Sequence, residues 1–164
     1  MNPTGKRSPE MRKLDEMLRT SRISSTGFLG TDTRPVEEII ARDLAAVKQS
    51  GFRTDQIAQR MRFITDQAKQ GIETDVVIEP GLSARATHTR GRLPCPWPHP
   101  GLYAKTVTHV RRTGSQAGEI KWSDLSIHLI EAHGFFQGKG ADFRLNPSEL
   151  IEIIFNNPQS SSPR

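Results

Sequence analysis

The sequence predicts an α+β protein, because the spacing of its apolar residues changes along the chain. Up to Gly71, apolar side chains recur every three or four residues, which indicates amphipathic helices. Beyond Gly71 the spacing becomes two, as in strands with one buried face, and helical spacing returns after Ser123. We therefore expect one domain over 10–156, with a helical part over 10–71 and a sheet plus two C-terminal helices over 72–156.

The helical part contains three predicted helices. The first covers Glu10–Arg19 and is followed by a break over 21–31, which contains two glycines. Pro35 suits the first position of the second helix, because its missing N–H would be unpaired there. Thr54 is the expected cap of the third helix, which ends at Gly71. Only about three residues join the second and third helices, so we expect an antiparallel helical hairpin.

A three- to four-stranded antiparallel sheet is expected next. The predicted strands are Asp75–Glu79, Leu82–Arg90, Leu102–Arg112 and Glu119–Trp122. Pro80 and Gly81 form a tight turn between the first two strands. In the third, one face carries Leu102, Ala104, Thr106, Thr108 and Val110, and the other carries Tyr103, Lys105, Val107, His109 and Arg111.

Two capped helices are predicted to complete the domain. Ser123 is the expected cap of a helix over Asp124–His133. Asn146 is the expected cap of the last helix, and Leu145 and Leu150 occupy the two positions of a hydrophobic staple.

Composition excludes several classes of protein. The chain has 164 residues, of which 34% are hydrophobic, so it has enough apolar side chains for one core. Since no apolar run is long enough for a membrane span and the first 18 residues resemble no secretion signal, we expect a cytoplasmic protein without membrane contact. The single cysteine, Cys95, rules out an intrachain disulfide and fits a reducing compartment. Segments 1–9 and 157–164 have the composition of flexible tails.

Positive charge is concentrated in the middle of the chain. The net charge is +5, and residues 81–123 hold seven Lys and Arg residues against Glu119 alone. Such a block favours an acidic partner, nucleic acid or phosphate, although it is also typical of an ordinary solvated surface. The candidate anion-binding residues are Lys105, Arg111, Arg112 and Lys139. Lys139 belongs to a glycine-rich segment, Gly134–Gly140, that lacks the strand–loop–helix context of a P-loop.

One candidate site stands out. Cys95 and His99 form a Cys-x3-His pair on a proline-rich loop, and His128 and His133 form a His-x4-His pair on the predicted helix. A loop pair, two strands and a helix with two histidines is the order in which zinc-finger-like sites assemble their ligands. Because residues five apart lie about 140° apart on a helix, the two helical histidines can share an ion only if the last turn tightens or unwinds. The alternative is a buried cysteine beside ordinary core and helix-end histidines.

Three classes of function follow from these features. The leading hypothesis is a non-catalytic binding or regulatory domain with a structural zinc site and a basic strand face. A small metal-dependent hydrolase is the first alternative, with Glu131 as general base and water as a metal ligand. A protein-interaction adaptor is the second, and it would expose an apolar patch around Ile39 and Leu44.

Several segments together resemble a set of small, uncharacterised bacterial cytosolic proteins. The similar segments are Gly27–Gly30, Cys95–His99, Trp122–Gly140 and Phe143–Leu145. The resemblance implies a bacterial cytosolic setting and assigns no functional residue.

Overall fold

The computed structural model describes residues 7–19 and 27–156. The described part of the chain contains five helices and six strands. In chain order they are α1 (Pro9–Arg19), α2 (Val36–Gln49), α3 (Thr54–Lys69), β1 (Val76–Glu79), β2 (Leu82–Thr87), β3 (Arg92–Pro94), β4 (Leu102–Ala104), β5 (Val107–Arg112), β6 (Gly118–Ser123), α4 (Asp124–His133) and α5 (Pro147–Phe155). The α+β class is confirmed. Residues 1–6 of the predicted tail over 1–9, the whole predicted tail over 157–164 and residues 21–26 of the predicted break over 21–31 lie outside the described residues.

The helices begin close to their predicted residues, with two differences in capping. Pro35 is the cap of α2 rather than its first residue, and the Val36 N–H donates to the buried Asp15 carboxylate of α1 at 3.1 Å. Thr54 is the first residue of α3 rather than its cap. The Ser123 cap of α4 is confirmed, since its hydroxyl accepts from the Ser126 N–H at 3.1 Å.

A four-stranded antiparallel sheet in the order β1-β2-β5-β6 forms the centre of the domain. The turn at Pro80 and Gly81 joins β1 to β2, as predicted. One face of the sheet packs against α3 and α5, which places Thr108, Val110 and Trp122 in the core. The opposite face carries the exposed basic side chains of β2, β5 and β6.

The predicted strand over Leu102–Arg112 is wrong in one respect, because it is two strands in two different sheets. β4 pairs with β3 in a separate two-stranded sheet, while β5 belongs to the main sheet. β3 itself was not expected, since Pro94 and the prolines that follow it suggested a loop. A three-residue edge strand tolerates proline because it needs few backbone donors. As a result, Leu102 is 60% exposed instead of sharing the buried face of Val110.

Two apolar clusters stabilise the domain. The larger lies between the main sheet, α3 and α5. The smaller joins α1, α2 and the N-terminal half of α4 to the β3–β4 hairpin, and it includes Cys95 and Phe135. Within the described residues, no helix is both long and apolar enough to cross a membrane.

Candidate metal centre

Two elements of the smaller cluster carry the four predicted metal ligands. Cys95 follows the last residue of β3, and His99 lies four residues further along the same loop. The loop contains prolines at 96, 98 and 100, which fix its φ angles and leave little conformational entropy to lose on binding. His128 and His133 lie on α4, which packs against β4.

The structure brings all four side chains together. The Cys95 Sγ and the His133 Nε2 are 3.4 Å apart, and the His99 Nε2 is 3.1 Å from the His133 Nε2 and 3.2 Å from the His128 Nε2. Their four potential ligand atoms lie within 4.8 Å of one another, so they could hold a metal ion. Cys95 is buried and the three histidines are half-buried.

Three of the six separations among these atoms are close to those around a small tetrahedral ion. Zinc binds imidazole nitrogen at about 2.0–2.1 Å and thiolate sulfur at about 2.3 Å, which places neighbouring nitrogens about 3.3 Å apart and a sulfur about 3.6 Å from a nitrogen. The observed nitrogen separations of 3.1 and 3.2 Å and the sulfur–nitrogen separation of 3.4 Å are close to both values.

The atoms that face away from the centre have partners of their own. The His99 Nδ1 lies 2.9 Å from the Pro100 carbonyl oxygen, and the His128 Nδ1 lies 3.0 Å from the Tyr103 hydroxyl. Because a carbonyl can only accept, the His99 Nδ1 carries the proton and its Nε2 presents a lone pair. The Trp97 N–H donates to the Cys95 Sγ at 3.4 Å. Metal-binding histidines and thiolates typically have such outer partners, which fix the ring orientation and the tautomer.

The surroundings of the cluster lower the pKa of two of its histidines, His128 and His133. Burial, followed by the neighbouring His128 and His99, lowers the pKa of His133 to about 4. The pKa of His128 is lowered mainly by burial as well. Burial raises the pKa of the Cys95 thiol, against the opposing effect of the Trp97 N–H. Neutral imidazoles at pH 7 are the form that binds metals, whereas the thiol must lose its proton to the solvent when an ion binds.

Packing fixes the position of His133. The Trp97 ring stacks on its imidazole, with centroids 4.1 Å apart and planes 8° from parallel, and Trp97 also contacts Phe135. The expectation that α4 must tighten or unwind is wrong, since the Gly134 N–H still bonds to the Ile130 carbonyl at 3.0 Å. The imidazole side chains of His128 and His133 are long enough for their Nε2 atoms to come close to each other without distortion of α4.

Glu131 lies beside the cluster and is already paired. Its carboxylate lies 2.8 Å from the Arg62 guanidinium. Together with Tyr103 and His128, it lines a surface groove between α3 and α4.

The four predicted anion-binding residues do not form one surface. Arg112 is 3% exposed, and its guanidinium donates to the Ile153 carbonyl and Glu79, so its side chain is part of the fold. Arg111 is exposed on the sheet. Lys105 lines a separate cavity. The burial of Arg112 could have been predicted from the sequence, because alternate side chains of a strand lie on the same face and Arg112 is two residues beyond the buried Val110.

Lys139 is exposed on a loop whose backbone is engaged within the molecule. Its N–H donates to the Asp32 carboxylate at 3.1 Å, and its carbonyl accepts from the Thr31 N–H at 2.9 Å. The Gly138 N–H donates to the Phe28 carbonyl at 2.9 Å, and a Cβ at Gly138 would lie 2.5 Å from the Leu29 oxygen. The glycines of this segment and of Gly27–Gly30 therefore allow two loop backbones to approach closely.

A basic row on the main sheet was not predicted as a unit. His109 lies opposite Arg85 on β2 and opposite Lys121 on β6, and all three are exposed. Burial, then Arg85 and Lys121, lower the pKa of His109. The register between strands, which the sequence pattern did not specify, brings the three side chains into line.

The apolar patch expected of an adaptor does not form around Ile39, which is fully buried, although Leu44 is 38% exposed.

Comparisons with protein-family models, with curated proteins and with solved structures found no match to this chain. Its function therefore has to be inferred from the sites themselves.

Proposed function

We propose that Cys95, His99, His128 and His133 bind one zinc ion, which has a structural role in a non-catalytic binding domain. The observation that carries this proposal is the convergence of four ligand atoms within 4.8 Å of one another. One thiolate and three imidazoles form a soft-to-borderline ligand set, which suits zinc and disfavours magnesium or calcium. The free thiol of Cys95 also fits a cytoplasmic location, where thiols stay reduced and available to zinc.

The position of the cluster supports a structural role. The β3–β4 hairpin has only three residues in each strand, and an isolated two-stranded sheet of this size is marginally stable in water. A zinc ion bound by Cys95 and His99 on the loop and by two residues of α4 joins this hairpin to the rest of the domain. Four protein ligands also fill a tetrahedral coordination shell, as in structural zinc sites.

A hydrolytic zinc site is less well supported. Such a site keeps one position open for water, which the general base then activates. Here four protein ligands converge, and the Glu131 carboxylate is paired with Arg62.

Metal analysis of protein purified without a histidine tag tests the zinc site. We expect one zinc per chain, with loss of most of it in the Cys95→Ala and His133→Ala variants. His109→Ala is the matched control, because it removes an exposed histidine of the sheet and should retain the metal. Substoichiometric zinc in the unmodified protein, together with a melting temperature that chelation does not change, would contradict the proposal.

We further propose that the exposed face of the main sheet contacts an acidic partner, with nucleic acid as the first candidate. Arg85 and Lys121 are both exposed and flank His109 in one row across three strands. Arg111 adds charge nearby, but Asp75 lies 3.5 Å from its guanidinium and Glu119 lies opposite it. Within the described residues Arg85 and Lys121 form no ion pair, and the Lys121 ammonium lies 5.0 Å from the centroid of the Phe143 ring. Two such cations predict weak, sequence-independent binding to phosphates.

A salt titration of binding to single- and double-stranded oligonucleotides tests this face. Neutralising about two phosphates predicts a slope of about −1.8 in log affinity against log salt on duplex DNA. The double variant R85Q/K121Q should lose that slope, whereas the exposed Lys48→Gln of α2 should keep it. Absence of binding at low salt, or a double variant that binds like the unmodified protein, would remove nucleic acid as the partner.

A further inference from the structure

A second site is a cavity that lies beside the β3–β4 hairpin. It has a volume of about 250 Å³ and lies between the hairpin, the ends of β5 and β6, and the loop before α5. Its apolar walls include Phe28, Leu93, Val107, Leu125 and Phe143. The volume lies just below the ~300–1,000 Å³ typical of sites for drug-sized ligands, so a smaller molecule fits.

Two polar side chains of this lining make no hydrogen bond or ion pair to the described residues. Gln137 is only 6% exposed, yet its side-chain amide makes no hydrogen bond to the described residues. Lys105 is half-buried in the same lining, and its ammonium forms no ion pair or hydrogen bond within the described part of the chain. A few polar groups set in apolar walls are what fixes the orientation of a ligand in sites of this kind.

The backbone of Gln137 supports the same interpretation. Its φ angle is +69°, in the left-handed region that residues with a side chain rarely adopt. The loop that holds it there is fixed by the Arg144 guanidinium, which donates to the Gln137 carbonyl at 2.8 Å. Strained residues of this kind are frequent in ligand sites.

We propose that this cavity binds a small carboxylate with an aromatic or branched aliphatic body. The apolar walls take the body, the Lys105 ammonium pairs with the carboxylate, and the Gln137 amide supplies a hydrogen bond that fixes its orientation. Asp142, the acidic residue of the lining, is exposed and has its own interactions. A carboxylate suits the site better than a nucleotide, because the cavity is small and holds one cation.

Amide-detected NMR titration with 3-phenylpropionate tests the site, with 3-phenylpropionamide as the uncharged match. From the usual ligand efficiency of drug-sized molecules, a ligand of this size should bind with a Kd of about 4 mM or tighter. We expect saturable shifts at residues of the lining, including Leu93 and Gln137, and about tenfold weaker binding of the amide.

Two variants separate this site from the zinc proposal. Lys105→Met should weaken binding of the carboxylate about tenfold and leave binding of the amide unchanged, whereas the exposed Lys48→Met should alter neither. Both variants should retain their zinc and their melting temperature, which shows that the fold is intact. Absence of saturable shifts with 3-phenylpropionate and with a branched aliphatic carboxylate at several millimolar would overturn the proposal, as would a folded Lys105→Met variant that binds as before.

Discussion

Removal of zinc should lower the melting temperature by an amount that follows from the position of the site. A ligand present at 1,000 times its Kd stabilises the folded state by about 4.1 kcal/mol. In a protein of about 150 residues, each kcal/mol shifts the melting temperature by about 2–4 °C. Because the ligands join the β3–β4 hairpin to α4 inside one apolar cluster, we expect the whole stabilisation to be lost at once, as a decrease of about 8–16 °C.

The Cys95→Ala variant isolates the contribution of the metal. It removes one buried sulfur, whose loss from the core alone costs about 1 kcal/mol. Scanning calorimetry with and without a chelator should therefore give a lower melting temperature in the variant and a chelator response below about 4 °C. His109→Ala should respond to the chelator as the unmodified protein does. A Cys95→Ala variant that keeps the full chelator response would refute the assignment of this thiol as a ligand.

Three further predictions concern residues around the site and the fold. Tyr103→Phe removes the partner of the His128 Nδ1 and should weaken zinc binding about 10- to 100-fold in a competition titration, with the melting temperature of the metal-free protein nearly unchanged. The Arg34 guanidinium holds the pKa of the Asp32 carboxyl well below its ordinary value, so this carboxylate stabilises the fold fully above about pH 4 and loses that effect as the pH falls. In the Asp32→Asn variant, the unfolding free energy should therefore decrease less steeply between about pH 5 and pH 2 than in the unmodified protein. An equally steep decrease would contradict this role of Asp32. Arg112→Met should lower the unfolding free energy by about 2 kcal/mol in urea, because it removes the bond of the buried guanidinium to a carbonyl of α5 and its ion pair with the half-exposed Glu79; a loss below about 0.5 kcal/mol would indicate that Arg112 is dispensable to the fold.

The features that could be predicted from sequence are those set by local spacing. Helical periodicity and capping residues place α4 and α5 within about one residue, since Ser123 and Asn146 cap them as expected. The four metal ligands could be predicted because their residue types are distinctive and their order along the chain is that of a compact site. Their distances could not, because the contact between the loop and α4 depends on the packing of Trp97 and its neighbours.

The features that could not be predicted depend on contacts between distant segments. The alternation from Leu102 to Arg112 continues through the point where the chain passes from one sheet to the other, so nothing in the pattern marks that change. The alignment of Arg85, His109 and Lys121 depends on strand register. The cavity at Lys105 requires five separate segments to meet, which no single sequence motif encodes.

Cobalt(II) titration of the metal-free protein tests the four-ligand site most directly. Tetrahedral coordination by Cys95 and three histidines should give intense visible absorption and a thiolate-to-cobalt band in the near ultraviolet, both reaching saturation at one ion per chain. The thiolate band should be absent from Cys95→Ser and retained in His109→Ala. A weak spectrum typical of six-coordinate cobalt, or a spectrum that Cys95→Ser leaves unchanged, would contradict a shared metal centre at these residues.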